Sequence, residues 1–195
     1  MKIYCVRHGE TPSNITGIVA GRSDESLTEK GIAQAQELNK KIGSHHFDAV
    51  YVSPMRRTLQ TAEIIIPEAK FIIDHRIAER DLGQLKDHTI DELWQMPDWN
   101  SLVKMKTDEN AETFASGLLR VRDFLSDLKK KFPDDAEILL ITHSFVSRCI
   151  WAITNGYDEH TDYSKFHHKN DEIIKYCIWR WKLSRWYFLL LKRVY

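Results

Sequence analysis

The sequence predicts an α/β protein, a three-layer α/β/α sandwich around a mostly parallel, mixed central sheet. Three observations carry that reading. Short apolar runs alternate with stretches of helical periodicity along the chain, the pattern of strands whose connecting helices cover both faces of a sheet. The 195 residues suffice for one sizeable domain with a real core and are too few for two comfortable ones. No repeat, low-complexity tract or Gly/Ser linker divides the chain, so residues 1–195 read as a single domain.

The elements follow in order. Ile3 to Val6 is the first strand. Thr28 to Ile42 is a helix: Thr28 is an N-cap, Ile32, Ala35, Leu38 and Ile42 share one face, and Gly43 closes it. Phe47 to Val52 is the second strand, and Arg56 to Ile66 a helix ended by Pro67. Phe71 to Ile73 is a short third strand. Ile90 to Trp99 and Ala115 to Phe132 read as helices with an irregular piece between them, and a cap or insertion covers about 84–117. Ile138 to Ile141 is a strongly apolar strand, followed by a helix from about Ser144 to Ile153. Tyr176 to Leu183 and Trp186 to Leu191 read as a hairpin joined near Ser184-Arg185.

Composition narrows the function. Hydrophobic residues make up 43% and charged residues 29%, ordinary values for a globular protein. The 28 basic and 28 acidic side chains balance, which argues against a nucleic-acid or membrane-surface partner, since both reward a large positive field. A few focused arginines can still hold an anion. Cys5, Cys149 and Cys177 have neither zinc-site nor disulfide-framework spacing, which fits a reducing compartment. The opening residues hold too short an apolar run for a signal peptide. Trp186 to Leu191 is too short to span a bilayer. The expected location is cytoplasmic.

The chemistry collects just after the strands. The first runs into Arg7-His8-Gly9-Glu10, and the second ends at Ser53-Pro54 with Arg56 and Arg57 opening the next helix. The third is followed by His75-Arg76 and Glu79-Arg80-Asp81, the fourth by Thr142-His143-Ser144. Ligand sites of open α/β sheets lie outside the carboxyl ends of the parallel strands, so four strand ends deliver cationic, nucleophilic or acid–base groups to one rim. These groups suit phosphoryl transfer. Arginines grip phosphate bidentately, a neutral imidazole can accept a phosphoryl group, and a carboxylic acid can protonate the leaving alkoxide and later activate water.

Arg7-His8-Gly9-Glu10-Thr11 with Asn14 resembles the signature of the histidine phosphatase superfamily, which includes the phosphoglycerate mutases. The similarity continues through Gly21-Arg22-x-Asp24, Leu27-Thr28-x-x-Gly31, Ser53-Pro54-Met55-x-Arg57 and Gln60-Thr61-Ala62. Ala78-Glu79 with Gly83, Ala111-Glu112-Thr113 before Arg120, Thr142-His143, and Asn170 with Ile173 fall in the family's order. The resemblance implies a phosphoglycerate mutase-like fold and a phosphohistidine intermediate on His8. It implies a phosphate pocket of Arg7, Arg57 and His143, with Ser144 beside it, and Glu79 as proton donor. Asn14 and the Ala20-Gly21 backbone would line the substrate mouth. No metal or other cofactor is implied, because the arginines neutralise the charge.

Arg56 is the rival of Arg57, and Asp81 that of Glu79. His45-His46 reads as a solvated loop, and His167-His168 as packing, since adjacent histidines point apart. Trp94, Met96, Trp99 and Met105 read as either an aromatic lid or packing. Ser144-Phe145 stands where a small Gly-containing pair is common in the family, Ser26 replaces a frequent proline, and Lys86-Asp87 replaces a common Glu-Gly. The first and third departures bear on the substrate mouth. The expected activity is hydrolysis of a small phosphorylated metabolite of the sugar phosphate or α-ribazole phosphate type. Two rivals are a mutase, which the 63 residues between Glu79 and His143 disfavour, and a catalytically silent binding module, whose mark would be loss of a catalytic group.

Overall fold

Among the described residues five strands form one sheet in the order β3-β2-β4-β1-β5: β1 Lys2–Arg7, β2 Ala49–Val52, β3 Ile72–Ile73, β4 Glu137–Thr142 and β5 Ile173–Cys177. The computed structural model describes residues 1–42, 44–96, 111–156 and 166–178. β1, β2, β3 and β4 run parallel, and β5 pairs with β1 antiparallel, so the sheet is mixed. The central strand β4 is buried along all but its first residue, as a strand covered on both faces must be, which is why Ile138 to Ile141 is an unbroken apolar run.

Among the described residues six α-helices connect the strands: α1 Pro12–Thr16, α2 Glu29–Ile42, α3 Arg56–Ile65, α4 Ile90–Gln95, α5 Phe114–Lys131 and α6 Ser144–Asn155. α2 and α3 pack together over one sheet face, burying Ala35, Leu38, Ala62 and Ile65 against Val6, Val52, Leu139 and Ile141. α5 and α6 cover the other, where Val121, Phe124, Val146 and Ile150 meet Ile3, Cys5, Ile138 and Leu140. These are the three layers expected from the alternating pattern. Among the described residues no helix is long and apolar enough to cross a membrane.

Several details differ from the sequence reading. Ile32 does not join the buried face of α2; it is 40% exposed, and Gly31 is buried instead. A Cβ on Gly31 would stand 2.2 Å from the Glu10 carbonyl oxygen, so the helix start touches the loop after β1 only because residue 31 has no side chain. Thr28 caps α2 as expected, its Oγ1 accepting from the Gly31 amide at 3.0 Å. The last described strand is Ile173–Cys177 rather than a run beginning at Tyr176. Trp186 to Leu191 lies outside the described residues, as do Gly43, Trp99 and Met105.

Candidate active site

The parallel register places three strand ends level: Arg7 pairs with Thr142, and Val52 with Ile141. The residues that follow, His8, Ser53 and His143, therefore emerge side by side. The His8 amide donates to the Thr142 carbonyl at 3.0 Å, and the Ser53 amide to the Ile141 carbonyl at 3.0 Å. The rings of His8 and His143 stand 5.2 Å apart between centroids.

His8 is 3% exposed, and its Nδ1 lies 2.8 Å from the Gly9 carbonyl oxygen. A carbonyl only accepts, so Nδ1 carries the proton and the Nε2 lone pair is directed away from it. Three contacts immobilise the loop. The Gly9 amide donates to Thr61 Oγ1 at 3.1 Å, the Glu10 amide to Gln34 Oε1 at 2.9 Å, and Asn170 Nδ2 to the His8 carbonyl at 2.7 Å. Asn14, on α1, accepts from the same Asn170 amide group at 3.2 Å and so stands at the loop's outer edge.

His143 is fully buried at the start of α6, with Nε2 2.7 Å from Ser53 Oγ. Arg57 Nη2 approaches His143 Nδ1 at 3.5 Å, and since arginine only donates, Nδ1 is the acceptor and Nε2 carries the proton. Burial, reinforced by Arg57, His8 and Arg7, pushes the His143 pKa well below its usual value, so the 3.8 Å approach of Glu79 Oε2 to Nδ1 is not an ion pair. His8 is pushed down likewise, first by burial and then by Arg7 and Arg57, against an upward pull from the Gly9 carbonyl. Both rings are neutral well into the acid range.

The pH dependence follows from these shifts. The unfolded chain protonates both histidines near about pH 6.5, where the native site refuses the protons. The unfolded state then binds more protons than the native state, so their contribution makes stability fall as pH drops through that value. Urea midpoints from about pH 8 to about pH 5 should fall less steeply for His8→Asn than for the wild type. Equal slopes would mean that His8 is not held neutral.

Arg57 is 1% exposed whereas Arg56 is exposed, so Arg57 is the arginine that faces the histidines. Its Nη1 and Nη2 donate to the carbonyls of Ser23 (2.9 Å) and Gly21 (2.8 Å). The 20–23 turn is held by the Ser23 amide donating to the Ala20 carbonyl at 2.9 Å, and Gly21 supplies a φ of 50°. Arg7 donates through Nη1 to the His168 carbonyl at 2.9 Å. The buried Nε atoms of both Arg7 and Arg57 have no hydrogen-bond acceptor. Two charge-bearing donors beside a pair of neutral imidazoles form a receptor for an anion.

Glu79 is half-buried near His143, on the segment that follows the 3₁₀ turn His75–Ile77. Its carbonyl accepts from Arg22 Nε (3.0 Å) and Arg120 Nη2 (3.3 Å), while Arg120 is bidentate on Glu112 at 2.6 and 2.9 Å and also donates to the Arg76 carbonyl at 2.6 Å. The rival Asp81 caps the Gly83 amide at 3.1 Å and faces Arg22 at 3.4 Å. Sequence reasoning saw Arg22, Glu112 and Arg120 as motif letters without the work they share, which is to clamp residues 76–81.

The family departures resolve differently from expectation. Phe145 is 6% exposed and turns into the core, edge-on to Phe114 and beside Gly117, where a Cβ would meet the Phe145 ring at 2.3 Å. It does not narrow the mouth. Asp87 occupies the left-handed region (φ 76°) that explains why glycine is common there, and aspartate tolerates it better than most residues. Met96 packs with Leu82, Leu85 and Leu93 in a small separate cluster, which supports packing over a lid for that side chain. The side chain of Trp94 lies outside the described residues. His168 is 2% exposed, with its pKa lowered to about 4 mainly by burial, and is a packing residue as expected, though its carbonyl holds Arg7. His45 and His46 are exposed, as expected of a solvated loop, and His45 Nε2 sits 2.5 Å from Glu137 at the opposite end of the sheet.

Comparison with known proteins agrees with this geometry. The family model of the histidine phosphatase superfamily (branch 1) matches residues 3–191. A probable phosphoglycerate mutase GpmB of Proteus mirabilis is 30% identical over 167 residues, covering 80% of this chain and 75% of that one. An adenosylcobalamin/alpha-ribazole phosphatase of Salmonella typhimurium is 29% identical over 154 residues, 75% of each. The crystal structure of a phosphoserine phosphatase from Entamoeba histolytica, in complex with 3-phosphoglyceric acid, superposes with a TM-score of 0.78 at 28% identity, covering 89% of both chains. The chain belongs to the histidine phosphatase superfamily and has the phosphoglycerate mutase-like fold.

Proposed function

We propose that this member of the histidine phosphatase superfamily hydrolyses small phosphomonoesters through phospho-His8. The observation that carries the reading is the pair of buried, acceptor-free Nε donors of Arg7 and Arg57 beside an imidazole whose Nε2 is unprotonated. His8 Nε2 attacks phosphorus in line, the P–O ester bond breaks, and Glu79 gives its proton to the departing alkoxide. Glu79, now a carboxylate, takes a proton from water, whose oxygen attacks the phosphohistidine; the P–N bond breaks and inorganic phosphate leaves. Arg7, Arg57 and His143 stabilise the charge spread over the transferring oxygens, with Ser144 adding its hydroxyl and Asn14, Ala20 and Gly21 bordering the mouth. The reading treats residues 1–195 as one domain with 84–117 as its cap. The short span between Glu79 and His143 favours a phosphatase over a mutase, and retention of every catalytic group argues against a silent module.

Vanadate tests the pocket. Its trigonal form resembles the transferring group, so it should inhibit competitively, and a crystal with vanadate should show it bonded to His8 Nε2 with Arg7, Arg57 and His143 around it. Activity should survive EDTA, since these residues supply the charge that a metal otherwise would. Strict dependence on a divalent ion would overturn the assignment.

A further inference from the structure

A third arginine, not needed for the phosphate, stands at the same rim. Arg148 is the fifth residue of α6, and helical side chains lean toward the helix N-terminus, here toward His143. Its Nη2 reaches the Phe166 carbonyl only at 3.4 Å, and its buried Nε has no acceptor. Among the described residues no carboxylate lies within ion-pair distance of it.

Arg7 and Arg148 donate to the carbonyls of His168 and Phe166, two residues apart on one segment. The two guanidiniums are therefore fixed by one short stretch of chain, and Arg148 stands close enough to Arg7 to act on its charge. The electrostatics agree. Arg148 lowers the proton affinity of Arg7, and Glu79 raises that of both. A bound phosphomonoester dianion matches Arg7 and Arg57 and leaves Arg148 unneutralised. A largely buried guanidinium with no carboxylate of the described residues at ion-pair distance is costly, and its planar fork fits a carboxylate, whose single charge it balances, better than a second dianionic phosphate.

We propose that Arg148 is the subsite for a carboxylate on the substrate, so that preferred substrates are small phosphorylated carboxylic acids. This rests on the proposed phosphatase site for the position of the phosphate, and it replaces α-ribazole phosphate and neutral sugar phosphates with a narrower class.

3-Phosphoglycerate and glycerol 3-phosphate differ only in carboxylate against hydroxymethyl, and calorimetric titration of the His8→Ala protein measures both without turnover. 3-Phosphoglycerate should bind on the order of tenfold to a hundredfold more tightly. Adding Arg148→Met, which keeps the stem's packing, should bring the ratio of the two Kd values near one, and Arg148→Lys should leave it intermediate. A ratio near one with Arg148 intact overturns the subsite, and so does a ratio that survives Arg148→Met. Turnover of p-nitrophenyl phosphate by the wild type separates the two ideas. Turnover without the ratio rejects the subsite alone; the ratio without turnover upholds the subsite and rejects the hydrolase.

Discussion

His8→Ala should abolish turnover, with a loss in kcat on the order of a millionfold, the scale seen when a covalent nucleophile is removed. The reason is local. His8 Nε2 is the free lone pair of a ring fixed by the Gly9 carbonyl, whereas the Nε2 of the neighbouring His143 is committed to Ser53. Among the described residues no second nucleophile at the rim has that orientation, and Arg7 and Arg57 can hold a phosphate without replacing the covalent route. Rapid acid-free quenching during turnover should trap label from a phosphorylated substrate on His8, in an acid-labile and base-stable linkage. Label on a serine or an aspartate would reject phospho-His8, and so would substantial activity in the alanine variant.

The parts of this site legible in the sequence are those set by strand ends. Arg7-His8, Ser53 and Thr142-His143 each follow a short apolar run directly, so parallel pairing alone brings them level. Arg57 was separable from Arg56 by its spacing from Ser53-Pro54, and burial agrees. What was hidden depends on backbone atoms or distant pairing. The carbonyls of His168, Gly21 and Ser23 hold the pocket arginines, and a carbonyl leaves no trace in residue type. Asn170 steadies the His8 carbonyl from 162 positions away, a contact that only the antiparallel placement of β5 beside β1 creates. α1 has five residues, too few to show a periodicity. Ile32 misled because Gly31, which carries no apolar signal, is what α2 packs against the loop after β1.

Glu79→Gln should cost a rate factor that depends on the leaving group. The carboxyl lies 3.8 Å from His143 Nδ1, an atom without a proton, and within electrostatic reach of Arg7 and Arg57. Its backbone is clamped by Arg22 and Arg120, so the amide should occupy the same place with the same reach but without a proton to cycle. For an alkyl phosphate, whose alkoxide leaves poorly, phosphoryl transfer to His8 should slow on the order of a hundredfold or more. For p-nitrophenyl phosphate the phenolate leaves unaided, so the burst of product should persist while steady-state turnover falls, because Glu79 is still needed to activate water against phospho-His8. Phosphoenzyme should therefore accumulate in the variant with the aryl substrate and not with the alkyl one. Equal losses in the burst phase for both would remove Glu79 as the acid and leave Asp81, which faces Arg22 and caps Gly83, as the next carboxylate to replace.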